Sequence, residues 1–450
     1  MSWCCVPRGR LRPPCRRLSS TSLELVWARR LRCIVQKEDG RNPVPRGLII
    51  VGASHAGVQL AAKCREMGYQ EQITLINGER DLPYQRPPLS KAFLTQNLSP
   101  DDILLRPDRF FADANVRLLS GKRCVKIDRR ERAVELEDSR RLRYDSLVLA
   151  IGARARSLPK SFGAIPHGVV NLRTLDEARF VRDALRSPKQ VVIVGGGLIG
   201  LEMASTLSSI GCHVSLVEFH GRLMARSCSP GIAEAIEQLH RTAGVNVYLE
   251  AGTAEIHAMA GRLHGVTLTN GLRVETDICL FATGASPNID LAHDAGLACG
   301  NGIIVDPFMR TLDPDILAVG DCTTFPSVQL GVPVRLECIQ NAHGQAATAA
   351  ATLVGAPAPY IVPPVFWSNQ RLCKFQRVGF LDGVDLTVRR EGEAGAFSLW
   401  HFSERRLRAV ESLNSVHDQA LARQLLVKQA PVTPEQVADP QYELRAALLN

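Results

Sequence analysis

Two segments of the chain share one order of hydrophobic and polar positions. In the first, a uniformly apolar run at 47–51 leads into a small-residue turn at 52–57, an alanine-rich helical stretch and a second strand at 72–77. In the second, the same order starts from an apolar run at 191–194 and a glycine turn at 195–200. Uniformly apolar strands are covered on both faces, and strands that alternate with helices form parallel sheets. The pattern predicts an α/β fold with two Rossmann-like, doubly wound units.

The pattern changes in the last third of the chain. Four prolines between positions 357 and 364 mark a linker, and a helical stretch at 418–429 ends the region. Between them, four segments alternate between apolar and polar residues, at 372–380, 384–389, 396–401 and 406–413. They predict a small antiparallel sheet, so that residues 363–450 form an α+β domain. We expect 47–155 and 284–362 to form the first Rossmann-like domain, interrupted by the second at 156–283.

The net charge of +9 is concentrated in the first 46 residues, which hold eleven basic and three acidic side chains. The other 404 residues hold 43 basic and 42 acidic side chains, so they lack the basic face that general nucleic-acid binding requires. We place residues 1–46 outside the fold, as a disordered basic extension. No apolar run in the chain reaches the ~18–20 residues that span a bilayer.

The arginine-rich head has two explanations. Its serines and threonine at 19–22 and its few acids are typical of an organellar transit peptide, which implies a mitochondrial protein. The same composition arises when a GC-rich bacterial gene is read from too early a start codon. The arginine and alanine bias of the whole chain favours this second explanation, which implies a bacterial cytoplasmic protein.

The turn Gly195-Gly196-Gly197-Leu198-Ile199-Gly200 carries a dinucleotide-binding signature. The first glycine makes the turn, the next lets the backbone approach a pyrophosphate, and the last lets the helix pack on the strand. The helix N-terminus then offers free N–H groups to the phosphates. Glu218 follows at the end of the next strand, where a carboxylate binds a ribose 2′-hydroxyl and repels a 2′-phosphate. We predict that this unit binds NADH rather than NADPH, unless Glu218 merely ends its strand.

The first turn, Gly52-Ala53-Ser54-His55-Ala56-Gly57, departs from the signature because Ser54 stands at the middle glycine position. A small side chain can be tolerated there if the phosphates lie slightly farther away. Glu79 is the corresponding candidate for a ribose contact, and its alternative is an ordinary surface-loop residue. Two dinucleotide units in one chain predict two cofactors, one held permanently and one that exchanges.

Five ordered motifs resemble one enzyme family. They are LPYQRPPLSK at 82–91, LRTLD at 172–176, GGGLIGLE at 195–202, AVGD at 318–321 and FWSNQ at 366–370. With them the chain resembles the FAD-dependent ferredoxin reductases of ring-hydroxylating dioxygenase and cytochrome monooxygenase systems. These are relatives of putidaredoxin reductase, rubredoxin reductase and apoptosis-inducing factor. The resemblance implies that the first domain binds FAD, that the second binds NADH, and that the C-terminal domain is a reductase domain.

The resemblance assigns roles to single residues. Lys91 would reach the flavin near its reactive nitrogen, and Glu202 would orient Lys91 beside the nicotinamide. Asp321 would bind the ribityl hydroxyls or the pyrophosphate region, and Trp367 would lie near the isoalloxazine. The residue types alone leave simpler alternatives open, namely a solvated lysine, an acid in the first turn of a helix, an aspartate N-cap and a tryptophan between domains.

Further contacts follow from the matched positions. The candidates for FAD are Gly52, Ser54, Ala56, Gly57, Glu79, Cys124 and Arg154. Those for NAD are Gly195, Gly197, Leu198, Ile199, Gly200, Glu218 and Gly284. The segment with Glu337, Gln340 and Asn341 would face the flavin ring. Ile151 stands where the family usually has threonine, which puts one local hydrogen bond in doubt, and packing is the favoured role for Cys124 and Cys322.

The thirteen cysteines form no C-x-x-C pair, and the stretch 84–91 beside the expected flavin contains none. We therefore expect neither a metal site nor a redox disulfide. Electrons would leave from the flavin itself, singly, to an iron–sulfur carrier.

The predicted function is hydride transfer from NADH to FAD, followed by release of single electrons to a ferredoxin-type iron–sulfur protein that supplies an oxygenase. An NADH oxidase or flavin reductase, and a signalling flavoprotein like apoptosis-inducing factor, are the alternatives. Ferredoxins of this class are acidic, so basic residues of the C-terminal domain form either a docking patch or a solvated strand face. They are Arg371, Lys374, Arg377, Arg389, Arg390, Arg405, Arg406 and Arg408. We expect a monomer or a homodimer.

Overall fold

The computed structural model describes residues 47–449, except Asn97 and Pro188. The expectations for residues 1–46 therefore lie outside the described part of the chain. Two parallel five-stranded sheets and one antiparallel five-stranded sheet are its main layers. Within the described residues, no helix combines the length and the apolar character needed to cross a bilayer.

The first parallel sheet has Leu48–Val51 at its centre, and all four residues of this strand are buried, as expected when both faces are covered. The chain adds two strands on one side and then returns to the other side, which creates a topological switch point beside the central strand. The strand order is Ile316–Ala318, Ser146–Leu149, Leu48–Val51, Ile73–Asn77 and Val116–Ser120.

The second parallel sheet repeats this arrangement around Gln190–Val194. Its order is Asn246–Tyr248, His213–Val217, Gln190–Val194, Ile278–Phe281 and Val169–Asn171. A helix starts just beyond each central strand, His55–Glu66 after the first and Leu198–Ser209 after the second. Each helix N-terminus therefore lies at a switch point, where open α/β sheets bind their ligands.

Shorter elements complete the two halves. Each sheet carries a three-stranded antiparallel ribbon, formed by Cys124–Asp128, Ala133–Leu136 and Arg141–Arg143 in one and by Thr253–Met259, Arg262–Leu268 and Arg273–Glu275 in the other. Ala153–Ala155 pairs with Ala285–Pro287 where the chain crosses between the halves. A small sheet contains Cys299–Gly300, Gly302–Ile304, Thr323–Pro326 and Pro333–Val334. The remaining helices of these halves are Ala92–Thr95, Arg109–Asp113, Leu175–Ala184, Pro230–Thr242, Asp290–Asp294 and Ile339–Leu353.

The C-terminal sheet has five strands, one more than the four predicted. Its order is Val365–Gln370, Cys373–Gly379, Arg406–Leu413, Phe397–Ser403 and Leu386–Glu391. The sequence pattern does not predict the strand Val365–Gln370, because Ser368 and Gln370 are polar residues on its buried face and the strand therefore shows no apolar alternation. Helices Val416–Lys428 and Pro434–Ala438 follow the sheet. The predicted α/β fold with a C-terminal α+β domain is confirmed, whereas the exact domain boundaries remain a prediction.

Candidate functional site

A continuous cleft joins the carboxyl ends of the two central strands. Its volume is about 1780 Å³, whereas a site for one drug-sized ligand measures ~300–1,000 Å³. Both small-residue turns line it, as do Lys91, Glu202, Asp321 and Trp367. The cleft therefore has room for two extended ligands and brings together candidates that the sequence separates widely.

The outer glycines of the two turns have closely matching environments. Gly52 and Gly195 have φ of +109° and +113°, and a Cβ at either would lie 2.3 or 2.5 Å from a carbonyl oxygen of the neighbouring strand's end. A Cβ at Gly57 or Gly200 would lie 1.9 Å from the carbonyl oxygen of the turn's first glycine. These four positions require glycine, for backbone conformation or for close packing of helix on strand.

The middle position has no such requirement. Gly197 precedes its helix with φ −82°, and a Cβ there would meet no atom within 4 Å. Ser54 precedes its own helix with φ −104°. Both values are open to any residue, so serine fits the first turn without strain.

Lys91 and Glu202 form an ion pair in the cleft. Lys91 directly follows the 3₁₀ turn Pro87–Ser90, and Glu202 lies one turn into its helix. The Glu202 side chain is 5% exposed and that of Lys91 is 22% exposed. Lys91 Nζ also lies 5.6 Å from the centre of the Trp367 ring, a cation–π contact. The structure thus brings the three residues together, and their part in hydride transfer remains a prediction.

One face of the same helix anchors two other segments of the chain. Glu202, Ser205 and Thr206 lie three or four positions apart and so share that face. Ser205 Oγ accepts a hydrogen bond from the backbone N–H of Arg371, and Thr206 Oγ1 donates to the carbonyl of Ser90 at 2.7 Å. The helix therefore holds the Lys91 segment and the end of a C-terminal strand at the same place.

Glu79 belongs to a polar cluster and is not an isolated loop residue. Its carboxylate accepts from the Tyr84 hydroxyl at 2.5 Å and from Arg86 Nη2 at 2.7 Å. Burial raises the pKa of Tyr84, so that its hydroxyl keeps the proton that it donates. Glu79 lines the cleft with these partners.

Asp321 lies just beyond the edge strand Ile316–Ala318 and faces Arg173, with 3.2 Å between Oδ2 and Nη2. Burial raises the pKa of Asp321, and the Arg173 guanidinium opposes that rise. The next helix starts at Ile339 with Cys338 as its N-cap. The N-cap alternative for Asp321 is therefore wrong.

His55 lines the cleft, although neither its turn nor the family resemblance predicts a role for it. Burial lowers the pKa of His55 to about 4, with smaller contributions from His343, Arg86 and Arg173. Arg86 and Arg173 therefore lie near the N-terminus of helix His55–Glu66, whose free N–H groups suit a bound phosphate group. Both arginines lie in motifs that carry the family resemblance, Arg86 at 82–91 and Arg173 at 172–176. Those motifs are the signal in the sequence that could have identified them as site residues.

Both carboxylate oxygens of Glu218 accept hydrogen bonds from backbone N–H groups. Oε2 accepts from Gly196 at 2.7 Å, and Oε1 accepts from His220 at 2.8 Å. A Cβ at Gly196 would approach Oε2 to 3.1 Å, so the carboxylate lies directly against the glycine turn. Each oxygen keeps a lone pair for a further donor.

Arg154 lies at the cleft, but its guanidinium is already paired. Nη1 contacts Asp290 Oδ2 at 2.8 Å and Asn288 Oδ1 at 3.0 Å. Asn288 also donates from Nδ2 to the Ile151 carbonyl at 2.7 Å. This bond anchors the segment in which Ile151 replaces the threonine of the family.

The other candidates divide by position. Ala56, Cys124, Leu198, Ile199, Gly284, Glu337 and Gln340 line the cleft. Gly57 and Gly200 lie beneath the turns, where they pack helix on strand. Asn341 is buried outside the lining.

Residues 46–346 match the pyridine nucleotide-disulphide oxidoreductase family, and residues 365–448 match the reductase C-terminal family. The chain belongs to the pyridine nucleotide-disulphide oxidoreductases. Rhodocoxin reductase of Rhodococcus erythropolis is 40% identical over 402 residues, which cover 89% of this chain and 94% of the relative. Putidaredoxin reductase of Pseudomonas putida is 35% identical over 407 residues, which cover 88% of this chain and 96% of the relative.

Two solved structures are similar along nearly their whole length. The ferredoxin reductase for the CYP199A2 system from Rhodopseudomonas palustris is 40% identical, with a TM-score of 0.86 over 90% of this chain and 100% of that one. The covalent putidaredoxin reductase–putidaredoxin complex is 33% identical, with a TM-score of 0.87 over 90% and 99%. The family expected from the five motifs is confirmed.

Family members of this kind are FAD flavoproteins, and the oxidoreductase cleft fits that group. Several buried polar atoms of the lining have no hydrogen-bond partner within the described protein, namely Asn171 Oδ1, Arg173 Nε and Gln340 Oε1. Buried polar atoms are costly without partners. The hydroxyls, amides and phosphates of a dinucleotide offer both donors and acceptors to such atoms.

Two cysteines, Cys124 and Cys338, line the oxidoreductase cleft. Burial raises the pKa of each to about 11. Redox cysteines react as thiolates and have lowered pKa values. Neither thiol therefore has the character of a redox partner, which agrees with the packing role expected for Cys124. Cys322 is also buried, and burial raises its pKa to about 12.

The basic residues of the docking prediction differ in exposure and in position. Arg377 is only 8% exposed, donates to the Ser227 carbonyl and packs on Phe366, because its place in a central strand directs it inward. Arg408 is half-buried and donates to the Gln329 carbonyl.

Four others, Arg371, Lys374, Arg405 and Arg406, lie in two pairs at opposite ends of the C-terminal sheet. Lys374 donates its backbone N–H to Asn414, beyond the end of strand Arg406–Leu413, whereas Arg405 and Arg406 lie at the start of that strand. At ~3.3 Å per residue the two clusters are about 25 Å apart. The antiparallel register therefore separates residues that the sequence groups together, and which of them contact a carrier remains a prediction.

Proposed function

We propose that this oxidoreductase is an FAD-dependent NADH:ferredoxin reductase that supplies electrons to an oxygenase. The ion pair of Lys91 and Glu202, in a cleft with a dinucleotide turn at each end, carries the proposal. Relatives named as reductases of rhodocoxin, rubredoxin and putidaredoxin support a small electron carrier as the acceptor. The bacterial sources of these relatives favour a cytoplasmic protein.

In this proposal the first turn would hold FAD and the second would hold NADH. Bound FAD would accept hydride from NADH and release the electrons one at a time. The N-terminus of helix His55–Glu66 would bind the FAD pyrophosphate, with His55, Arg86 and Arg173 nearby. Asp321 would accept hydrogen bonds from the ribityl hydroxyls, and Glu79 from the adenosine ribose.

The Lys91 ammonium would stabilise the negative charge that develops on the flavin side of the cleft during hydride transfer. Glu202 would keep that ammonium in place, since the pair is largely shielded from water. The raised pKa values of the cleft thiols support direct transfer to an external carrier rather than transfer through a cysteine.

Glu218 would select NADH. A ribose 2′-hydroxyl can donate to its carboxylate, whereas a 2′-phosphate would be repelled by it. Because two backbone N–H groups hold the carboxylate, it cannot swing away to admit a phosphate without losing both bonds.

Anaerobic titration of the purified protein with NADH and with NADPH tests the proposal. We expect bleaching of bound FAD at one equivalent of NADH, much weaker bleaching by NADPH, and rapid reoxidation by an added ferredoxin. Reoxidation by oxygen or quinone alone would favour the oxidase alternative. A long-lived reduced complex without any acceptor activity would favour the signalling alternative.

Two separate surface clusters remain candidates for contact with the carrier. One is Arg371 with Lys374, and the other is Arg405 with Arg406. Arg405 is paired with Glu435, which leaves Arg406 as the freer cation of its cluster. Reversing each cluster to glutamate separately, at low and high salt, distinguishes them by the rate of ferredoxin reduction.

A further inference from the structure

A row of buried hydrogen bonds runs from Glu202 into the C-terminal sheet. Ser368 Oγ donates to Glu202 Oε1 at 2.8 Å, and Gln370 Nε2 donates to Ser368 Oγ at 3.3 Å. Gln370 Oε1 lies 3.0 Å from Nε2 of His240. All four residues are buried. They come from a helix of the second half, a C-terminal strand and the helix Pro230–Thr242, so tertiary packing alone assembles them.

The charge on Glu202 assigns every proton in this row. Paired with the Lys91 ammonium, the Glu202 carboxylate can only accept, so the single hydroxyl proton of Ser368 points to it. Ser368 Oγ must then accept from the Gln370 amide, which turns the Gln370 oxygen toward the ring of His240.

An amide oxygen only accepts, so His240 carries its proton on Nε2. Its Nδ1 is buried without a partner among the described residues. Burial lowers the pKa of His240, in agreement with a neutral ring. The row is therefore polarised in one direction, toward Glu202.

We propose that Ser368, held in place by Gln370 and His240, is a positioning residue for the Glu202–Lys91 pair. The inference rests on the proposed hydride transfer at that pair. Ser90 Oγ donates to Oε2 at 2.8 Å, and Lys91 binds the same oxygen, whereas Ser368 is the partner that the structure provides for Oε1. Without the Ser368 hydroxyl the carboxylate can rotate about its last bond, and the Lys91 ammonium moves with it.

This arrangement makes the C-terminal sheet part of the cofactor site. Trp367 precedes Ser368 in the strand, and successive side chains of a strand point to opposite faces. Trp367 faces the cleft beside Lys91, while Ser368 holds the acid that binds Lys91. One strand thus contributes a wall of the cleft and the anchor of its ion pair.

The test replaces Ser368 by alanine in the FAD-loaded protein. We expect the rate of FAD reduction at saturating NADH to fall about 10-fold, as for the loss of one hydrogen bond to a charged group. We expect the affinity for NADH to stay within about 2-fold. The FAD midpoint potential should become more negative, because a less ordered Lys91 stabilises the reduced state less. Ser368→Thr, which retains the hydroxyl, should restore most of the rate and the potential.

Ser412→Ala is the matched control. Ser412 is also buried in the C-terminal sheet and hydrogen-bonded to a glutamine, Gln419, but it lies away from the cleft. We expect its rate and potential to equal those of the unmodified protein. Gln370→Met leaves the Ser368 hydroxyl in place but removes the amide that donates a hydrogen bond to it. We expect this variant to slow FAD reduction and to lower the midpoint potential by less than Ser368→Ala does.

A double variant separates positioning from general destabilisation. In a Glu202→Gln background, Ser368→Ala should change the reduction rate by less than about 2-fold, because both residues act through one interaction. The inference is overturned if Ser368→Ala keeps the original rate and potential, or if Ser412→Ala slows FAD reduction as much as Ser368→Ala does. It is also overturned if the rate reductions of Glu202→Gln and Ser368→Ala multiply in the double variant. If instead the unmodified protein fails to accept hydride from NADH, the proposed function is the part that fails.

Discussion

Replacing Glu202 by glutamine isolates the charge at the centre of the cleft. The Glu202 carboxylate accepts from Ser90 and Ser368 at 2.8 Å each and from the Lys91 ammonium. Glutamine keeps the shape but exchanges one acceptor oxygen for a donor NH₂ group. No orientation of the amide serves all three partners without rearrangement of a hydroxyl, and in every orientation Lys91 loses its counter-charge.

The magnitude follows from the burial of the pair. Removing one member of a fully buried ion pair lowers the free energy of unfolding by ~3–5 kcal/mol. The Lys91 side chain is 22% exposed, so water can solvate part of the freed charge. Removing one fixed group that stabilises developing charge costs ~2.7–4 kcal/mol of transition-state stabilisation. Lys91 itself remains in this variant and only its position is released, so we expect a loss of about 2 kcal/mol, which corresponds to a roughly 30-fold slower reduction of FAD.

Anaerobic stopped-flow absorbance at saturating NADH measures this rate directly. Glu237→Gln is the control, since Glu237 forms a solvent-accessible ion pair with Arg241 outside the cleft lining, 2.8 Å between Oε1 and Nε. An unchanged reduction rate in the Glu202 variant would refute the reasoning. A weaker affinity for NADH with an unchanged rate would assign Glu202 to binding rather than to hydride transfer.

Three further predictions concern the turns, the choice of dinucleotide and pH. Gly57→Ala should abolish FAD binding, because the new Cβ would lie 1.9 Å from a carbonyl oxygen. Ser54→Gly should leave the FAD affinity within about 2-fold. FAD titration of the apoprotein measures both affinities. Glu218→Gln should lower the preference for NADH over NADPH, measured as the ratio of the two kcat/KM values, by about 10-fold. If the ratio is the same in the variant and in the unmodified protein, Glu218 does not select NADH. Burial lowers the pKa of His240, so the unfolded chain takes up a proton first as pH falls below ~6.5, and stability decreases. His240→Leu should flatten this decrease between pH 7 and 5 in urea unfolding, and an equally steep decrease would count against a neutral buried ring.

Sequence reasoning recovered the parts of the site that depend on local backbone chemistry. Gly52, Gly57, Gly195 and Gly200 were identifiable because positive φ or close backbone contact excludes other residues. Lys91 and Glu202 were paired only through the family resemblance, since 111 positions separate them and no periodicity connects them.

Sequence reasoning failed where burial and register decide. Arg377 reads as a surface cation, but its strand position turns it into the protein, where it packs on Phe366. Arg371 and Arg406 read as members of one basic patch, but antiparallel register places them at opposite ends of the sheet. A charged side chain does not by itself indicate on which face of a strand it lies. That face is indicated only by the alternation of apolar and polar residues around it.

The amino-acid sequence by itself therefore determined the two dinucleotide turns and the α/β architecture around them. Those features rest on interactions between near neighbours in the chain, on strand–turn–helix order and on the absence of a side chain at glycine. Only the tertiary structure decided the surroundings of Glu202, where Ser368 approaches from 166 positions away and Gln370 meets His240 across 130 positions. Such contacts depend on how separate layers pack, and a hydrogen bond between distant polar residues leaves no periodic trace in the chain.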